Sequence, residues 1–415
     1  MKTHSRNFLS AAFEAAMVVF TVVFFARKLL ACTTYDVRHG FWNLSSWMVD
    51  WSGGYVRRGL MGTCLRKFCE VTSLDPIAVA YVAGIAAWVG LLMWFMRRFI
   101  ERSWPWWIVP LGVFMGGAPV VRTDALLMLM QVAMFYAVFR SRKSFAVRMI
   151  AANAIGVAAI NIHEMFFVFA VPALAVLMLF EEGFSRKGFL RIAAFAPMCI
   201  AFLATAVWHG NAAVRDTIAA SWEAFRPDEF AAAAPVGEIG AMALKIGDVW
   251  GWVRDTVVFY PSLGPVPGWI FCPCVVLVLL WALPVAISRD CKSPLLATFI
   301  MIFQGAMLTP MTIVFCDVSR LCFFWVSSSF IVLLFAIGCK RVNETIAGFA
   351  AGKHCIVGGG GRIIALTILL MAGLPRNNIS AYEGFRVSAV GTFLVTAKAV
   401  ITGVWDGFAL PRQVP

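Results

Sequence analysis

Four short stretches of this 415-residue chain set ionisable side chains between long apolar runs. Asp36, Arg38, His39, Asp50, Arg57 and Arg58 crowd into residues 36–58. Arg122 and Asp124 sit in APVVRTDALLML, Asn161, His163 and Glu164 in AAINIHEMFFVFAVP, and Asp317 and Arg320 in VFCDVSRLCFFW. A carboxylate such as Asp36 or Asp50 can take a proton from a hydroxyl, and an imidazole can pass one on or donate to a phosphate. Guanidinium forks match phosphate oxygens and stay charged at any working pH.

Spacing qualifies each group. In DWSGGYVRRGLMGTCLRKF, Gly53 and Gly54 allow a tight turn before Arg57 and Arg58, and Gly59 and Gly62 allow close packing of the helix that follows. Those two arginines can border a groove for diphosphate, or lie against lipid headgroups. Arg122 and Asp124, two apart, fit either a site or a helix cap with a snorkelling arginine. Asp317 and Arg320, three apart, share a helix face and can pair locally. His163 and Glu164 break an otherwise apolar stretch where Gly, Asn or Ser would turn more readily, so a functional role is expected of them. They are no zinc motif, since no second His stands four residues on.

The elements that must position these groups follow from composition. The chain is 61% hydrophobic and 14% charged, with a mean hydropathy of +0.82, which excludes an ordinary soluble globule at roughly 45–50% apolar and 25% charged. An all-α, polytopic integral membrane protein is expected, as a single domain over residues 1–415. Eleven apolar spans are predicted near 9–30, 77–96, 104–120, 125–139, 147–162, 165–180, 192–208, 268–287, 294–314, 321–339 and 361–375, with a twelfth at 388–405. The first reads as a retained helix, because no small-residue cleavage site follows a short apolar core.

Alternating these spans puts the amino-terminal tail and the segments near 97–102, 140–148, 181–191, 289–292 and 340–362 on one side. Those segments hold 18 of the 35 basic residues against 5 of the 22 acidic ones, which leaves 17 of each elsewhere. The whole +13 excess therefore lies on one face, which the positive-inside rule makes cytoplasmic. Charge scattered over short connections is a topology signal and gives no reason to expect nucleic acid. All four ionisable groups then face outward and are expected to line one shared polar cavity.

Two outer segments exceed connector length. Residues 32–76 are expected to be re-entrant or interfacial, and residues 209–267 to carry amphipathic helices in VRDTIAASWEAF and GDVWGWVRDTVVFY. Eleven cysteines with no Cys-x-x-Cys indicate neither a disulfide framework nor a zinc site. The Gly358 to Gly361 run lacks the Lys-Ser/Thr of a phosphate loop.

An enzyme that moves sugars from a polyprenyl-linked donor needs a lipid groove, cations for the departing diphosphate and a carboxylate for the acceptor hydroxyl. The outward groups supply these types: Asp36, Asp50, His163 and Glu164 as proton-transfer candidates, and Arg57, Arg58, Arg122, Asp124, Asp317 and Arg320 as substrate or diphosphate ligands. No cofactor is called for, and a divalent cation on Glu164 or Asp124 is an option. The acidic loop after the first helix, together with GGYVRRGL, NIHEMFF and DVSR, resembles the GT-C-type glycosyltransferases and the O-antigen and exopolysaccharide polymerases. That resemblance implies a bacterial inner-membrane protein with its site facing the periplasm, a polyprenyl-linked sugar donor, a glycan acceptor and a catalytic acid in the first loop, where Asp36 and Asp50 compete. The chain departs from several GT-C members in lacking an acidic pair in that loop. A transporter or lipid-linked glycan flippase is the competing class, because it too turns charged residues inward. A scaffold subunit would leave the four groups apart.

Overall fold

A computed structural model describes residues 44–102, 104, 121–223, 225, 237–243, 294–309, 311, 318–339 and 341–342. Among the described residues every regular element is helical. A 3-10 turn, Ser45–Trp47, precedes α1 (Gly59–Thr72), α2 (Pro76–Glu101), α3 (Asp124–Phe139), α4 (Phe145–Ile162), α5 (Met165–Glu182), α6 (Arg186–Ala193), α7 (Ala196–Val207) and α8 (Ala212–Glu223). The short α9 (Gly237–Gly240), a second 3-10 turn (Ala241–Ala243), α10 (Pro294–Leu308) and α11 (Val318–Ala336) complete the order.

Seven predicted spans coincide with α2, α3, α4, α5, α7, α10 and α11. Three of these, Pro76–Glu101, Phe145–Ile162 and Met165–Glu182, are long and apolar enough to cross a membrane. A fourth arises if Arg186–Ala193 and Ala196–Val207, bent by 45°, count as one span. Asp124–Phe139, Leu296–Leu308 and Arg320–Ala336 are shorter apolar helices. The spans expected at 9–30, 268–287, 361–375 and 388–405 lie outside the described residues, as does all of 104–120 but Trp104. So do Asp36, Asp317 and the stretch GDVWGWVRDTVVFY.

Local chemistry sets the boundaries. Asp75 caps α2 by accepting from the Ile77 amide at 3.2 Å, and Pro76 takes the first-turn position where its missing N–H costs nothing. Ser185 caps α6 through the Gly188 amide. Pro172 interrupts α5 and loosens its amide ladder. The neighbouring Phe169 carbonyl accepts from Gln304 Nε2 at 3.0 Å and Ser328 Oγ at 3.3 Å, so polar groups of α10 and α11 reinforce the weakened turn. Gln131 of α3 donates to the same Ser328 at 2.8 Å. This buried polar seam ties α3, α5, α10 and α11 inside an otherwise apolar core that includes Phe135, Phe169, Phe324 and Phe330.

The two ends differ. At one, Arg341 donates to the Glu181 carbonyl at 3.1 Å, Arg191 pairs with Glu182, and Arg148 donates to the Val138 carbonyl at 2.6 Å. Arg341 thus meets the segment 181–191, and the Arg191 guanidinium over the Phe145 ring, 4.7 Å from its centroid, brings 140–148 to the same end. The other end gathers the segments predicted to face outward. Trp47 donates to the Val121 carbonyl, Trp222 of α8 to the Met48 carbonyl at 2.7 Å, and the Glu238 amide to Ser45 Oγ at 2.8 Å. Glycine makes two of these junctions close. A Cβ on Gly62 would overlap the Val49 carbonyl, and one on Gly84 would press on the Val121 backbone. Residues 214–223 of the stretch VRDTIAASWEAF lie in α8, a helix as the pattern predicts.

Candidate functional site

The end that joins Trp47, Val121 and Trp222 holds a buried ion cluster built from five places in the chain. Arg58 stands just ahead of α1 with φ of 65°, in the left-handed region that a non-glycine residue enters only at a cost. The strained backbone sets its guanidinium between two carboxylates. Arg58 Nε and Nη2 both donate to Glu164, and Nη1 donates to Glu238. Arg122, ahead of α3, also pairs with Glu238. Arg320 of α11 grips Asp124 with two parallel bonds, Nε at 2.8 Å and Nη2 at 2.6 Å, and its Nη1 lies 3.9 Å from Glu238. Such bidentate arginine–carboxylate bonds are the strong form of the ion pair.

This arrangement decides between the alternatives that spacing left open. Arg122 is 2% exposed and internally paired, so it does not snorkel. Asp124, at the first position of α3, serves the distant Arg320 and caps nothing. The groups also pack against one another where an open cavity lined by them was expected: Arg122, Asp124, Glu238 and Arg320 are all buried. Among the described residues no group of three or more His, Cys, Asp or Glu is placed for a metal ion. The two carboxylates offered for a divalent cation, Asp124 and Glu164, are engaged by Arg320 and Arg58.

Asp50 belongs elsewhere. It is fully buried, accepts from the Ser52 amide at 2.9 Å and hydroxyl at 2.5 Å, and holds Ser221 of α8 at 3.0 Å and Arg66 of α1 at 3.2 Å. These partners make it the residue that ties the segment before α1 to α1 and α8.

His163 ends α4. Its Nδ1 accepts from the Met165 amide at 3.2 Å, which leaves the proton of the neutral ring on Nε2. Burial, followed by the charge of Arg58, holds the imidazole well below its ordinary pKa, although Glu164 works against that. Burial acts to raise the Glu164 carboxyl, but Arg58 and the surrounding positive charge outweigh it and hold the carboxyl well below the usual range. Both groups therefore bind fewer protons in the folded protein than in the unfolded chain at acid pH. The His163 contribution is complete above about pH 6.5 and falls as pH drops below that value, where the unfolded imidazole takes up a proton the folded one refuses. The Glu164 contribution is lost only further down, through its depressed pKa. Thermal unfolding in detergent should accordingly show a midpoint that is flat above about pH 7 and falls on acidification, and His163→Gln should remove the first part of that fall.

The accessible edge of the cluster is Arg57 and Glu164, with side chains 23% and 13% exposed. Arg57 Nη1 lies 3.6 Å from Glu164, and its buried Nε has no hydrogen-bond partner. Burial pulls the Arg57 guanidinium below its ordinary pKa, Glu164 opposes this and Arg58 adds to it. Among the described residues, Arg57, Arg58, Arg122 and Arg320 face Asp124, Glu164 and Glu238, with His163 neutral, and Arg57 lies at the accessible edge.

Of the sequence-predicted residues, Arg57, Arg58, Arg122, Asp124, His163, Glu164 and Arg320 come together, and Asp50 does not join their hydrogen bonds. Glu238 was missed. It sits in a four-residue helix within the long second outer loop, and its partners are 180 and 116 residues away. Its one local sign was a single acid inside the apolar run PVGEIGAM. The chain matches no protein-family model, no curated protein and no solved structure.

Proposed function

We propose that this chain is a polytopic membrane protein, with its amino terminus in the cytoplasm and the ion cluster near the opposite face, and that it transfers sugar from a polyprenyl-diphosphate donor to a glycan acceptor. A bacterial inner-membrane setting is part of this proposal. One observation carries it: a partly open arginine, Arg57, only loosely held by an ionised carboxylate, Glu164, over a rigid base of paired charges. That base presents positive charge without the freedom to collapse on it, which is what binding a departing diphosphate requires.

In the proposed step the acceptor hydroxyl attacks the anomeric carbon. The bond from that carbon to the diphosphate oxygen breaks, and the polyprenyl diphosphate leaves with the electron pair. The hydroxyl proton passes to a carboxylate. Glu164 is a poor proton acceptor because its pKa is depressed, so its role is to orient Arg57 and to accept a hydrogen bond from the acceptor. With Asp50 sealed by Ser52, Ser221 and Arg66, Asp36 is the first-loop acid assigned as base.

The Arg57 role has a direct test. Arg57→Ala should raise the KM for the polyprenyl-linked donor by about ten- to a hundredfold in proteoliposomes, with Arg57→Lys intermediate, since a charged hydrogen bond of about 1.5–3 kcal/mol is lost. An unchanged donor KM in both variants removes Arg57 from the site. The buried seam of Gln131, Gln304 and Ser328 beside Pro172 favours a second reading as a transporter or flippase, because a loosened helix with mid-span polar groups suits alternating access.

A further inference from the structure

Three exposed or half-exposed aromatic rings flank the Arg57–Glu164 edge. Tyr55 is 41% exposed and Trp208 54% exposed, while Trp51 is half-buried. Tyr55 leans on Trp51 with ring centroids 5.6 Å apart and 31° between planes, and meets Trp208 edge-on at 5.7 Å and 89°. The Trp51 and Tyr55 side chains are fixed to the frame of the site, and Trp208 is tied to it through its backbone and its edge contact with Tyr55. Trp51 donates from its indole to the Val56 carbonyl at 3.0 Å, and its ring occupies the space a Cβ on Gly59 would take. The Tyr55 hydroxyl donates to Asn161 Oδ1 at 2.8 Å, and Asn161 is anchored in turn to the Val157 carbonyl at 2.9 Å. The Arg57 amide donates to the Trp208 carbonyl at 3.0 Å.

We infer that Tyr55 and Trp208 form a stacking subsite for a neutral pyranose of the glycan acceptor, next to the Arg57–Glu164 edge. An aromatic face is electron-rich, and the C–H bonds on one face of a pyranose present weak positive charge to it. Rings already held in place lose little entropy when a ligand arrives, unlike loose surface aromatics. The hydrogen bond from Tyr55 to Asn161 puts the ring on the turn that carries His163 and Glu164, two and three residues further along. A sugar stacked on these rings would thus lie beside the carboxylate that accepts its neighbour's hydroxyl. This inference rests on the transferase reading and adds to it the place and chemical class of the acceptor.

Saturation-transfer NMR on the full chain in lipid nanodiscs, with maltotetraose, cellotetraose and chitotetraose as probes, tests it. The expected result is transfer to ring protons of at least one probe. Trp208→Ala should weaken that binding about tenfold, and Trp208→Phe should restore most of it. No transfer from any of the three, or equal transfer in Trp208→Ala, overturns the subsite. So does quenching of Trp208 fluorescence by brominated lipid with no protection by saccharide, because the ring is then an anchor in the membrane interface. Failure of the two proposals is separable. Saccharide binding that depends on Trp208 without any glycosyl transfer supports the subsite and removes the transferase. Transfer with an unaltered acceptor KM in Trp208→Ala keeps the transferase and removes the subsite.

Discussion

Glu238→Ala is expected to cost about 3–5 kcal/mol and to loosen the end of the protein that holds the ion cluster, because it leaves Arg58 and Arg122 buried without one of their counter-charges. The cost arises from desolvated cations more than from the lost bonds themselves, so the partner variants should show it. Arg122→Ala in the Glu238→Ala background should cost less than Arg122→Ala alone, with a coupling of roughly 1–3 kcal/mol in a double-mutant cycle. Unfolding in mixed detergent micelles measures both. Simple additivity would mean that the two residues do not depend on one another in the folded state. The same variant bears on α9, whose Glu238 amide is held by Ser45. Once its side chain is gone, one amide bond and the packing of Ile239 and Met242 remain to hold that segment to the first outer loop.

The second large effect separates the two acids of the first loop. Asp36→Asn should lower kcat for glycosyl transfer by about 10²–10⁴-fold with little change in either KM or in stability, as expected for loss of a general base. Asp50→Asn should do the reverse. It weakens the link to Arg66 and disturbs the bonds to Ser52 and Ser221, so the unfolding midpoint falls while kcat per folded molecule is kept. If Asp50→Asn stops turnover in a protein of native stability and Asp36→Asn does not, the assignment is reversed.

Much of the frame is visible in one-dimensional patterns, and the reasons are physical. Apolar runs of membrane length leave little choice but helix, and α2, α4 and α5 lie where those runs lie. The charge of short connections sorted the ends, and Arg148, Glu181, Arg191 and Arg341 do meet at one of them. Ionisable residues in apolar surroundings marked the cluster because they need partners there. Which partner each takes is a different matter. The Arg320 guanidinium reaches Asp124, 196 residues away, and no local spacing contains that pairing. Asp50 looks like a site acid in DWSGG, but its neighbours Ser52, Arg66 and Ser221 converge on it only after folding. Glu238 belongs to a segment whose alanines and glycines resemble linker, and its importance comes entirely from the arginines it meets.

Those pairings also explain why, among the described residues, the cluster presents Arg57 at its accessible edge. Arg58, Arg122 and Arg320 have their carboxylates at hand, and Arg58 bears backbone strain to keep them. Arg57 is left with a longer approach to Glu164 and an unsatisfied Nε. An anionic ligand would complete its shell without disturbing the pairs beneath. The most direct measurement is bond making against passage: purified protein in proteoliposomes, given a polyprenyl-diphosphate sugar labelled in the sugar and an added acceptor. Label is expected in the acceptor together with free polyprenyl diphosphate, both lost in Asp36→Asn. Labelled lipid that crosses the bilayer with its sugar–phosphate bond intact, and no glycosylated acceptor, would contradict the transferase reading.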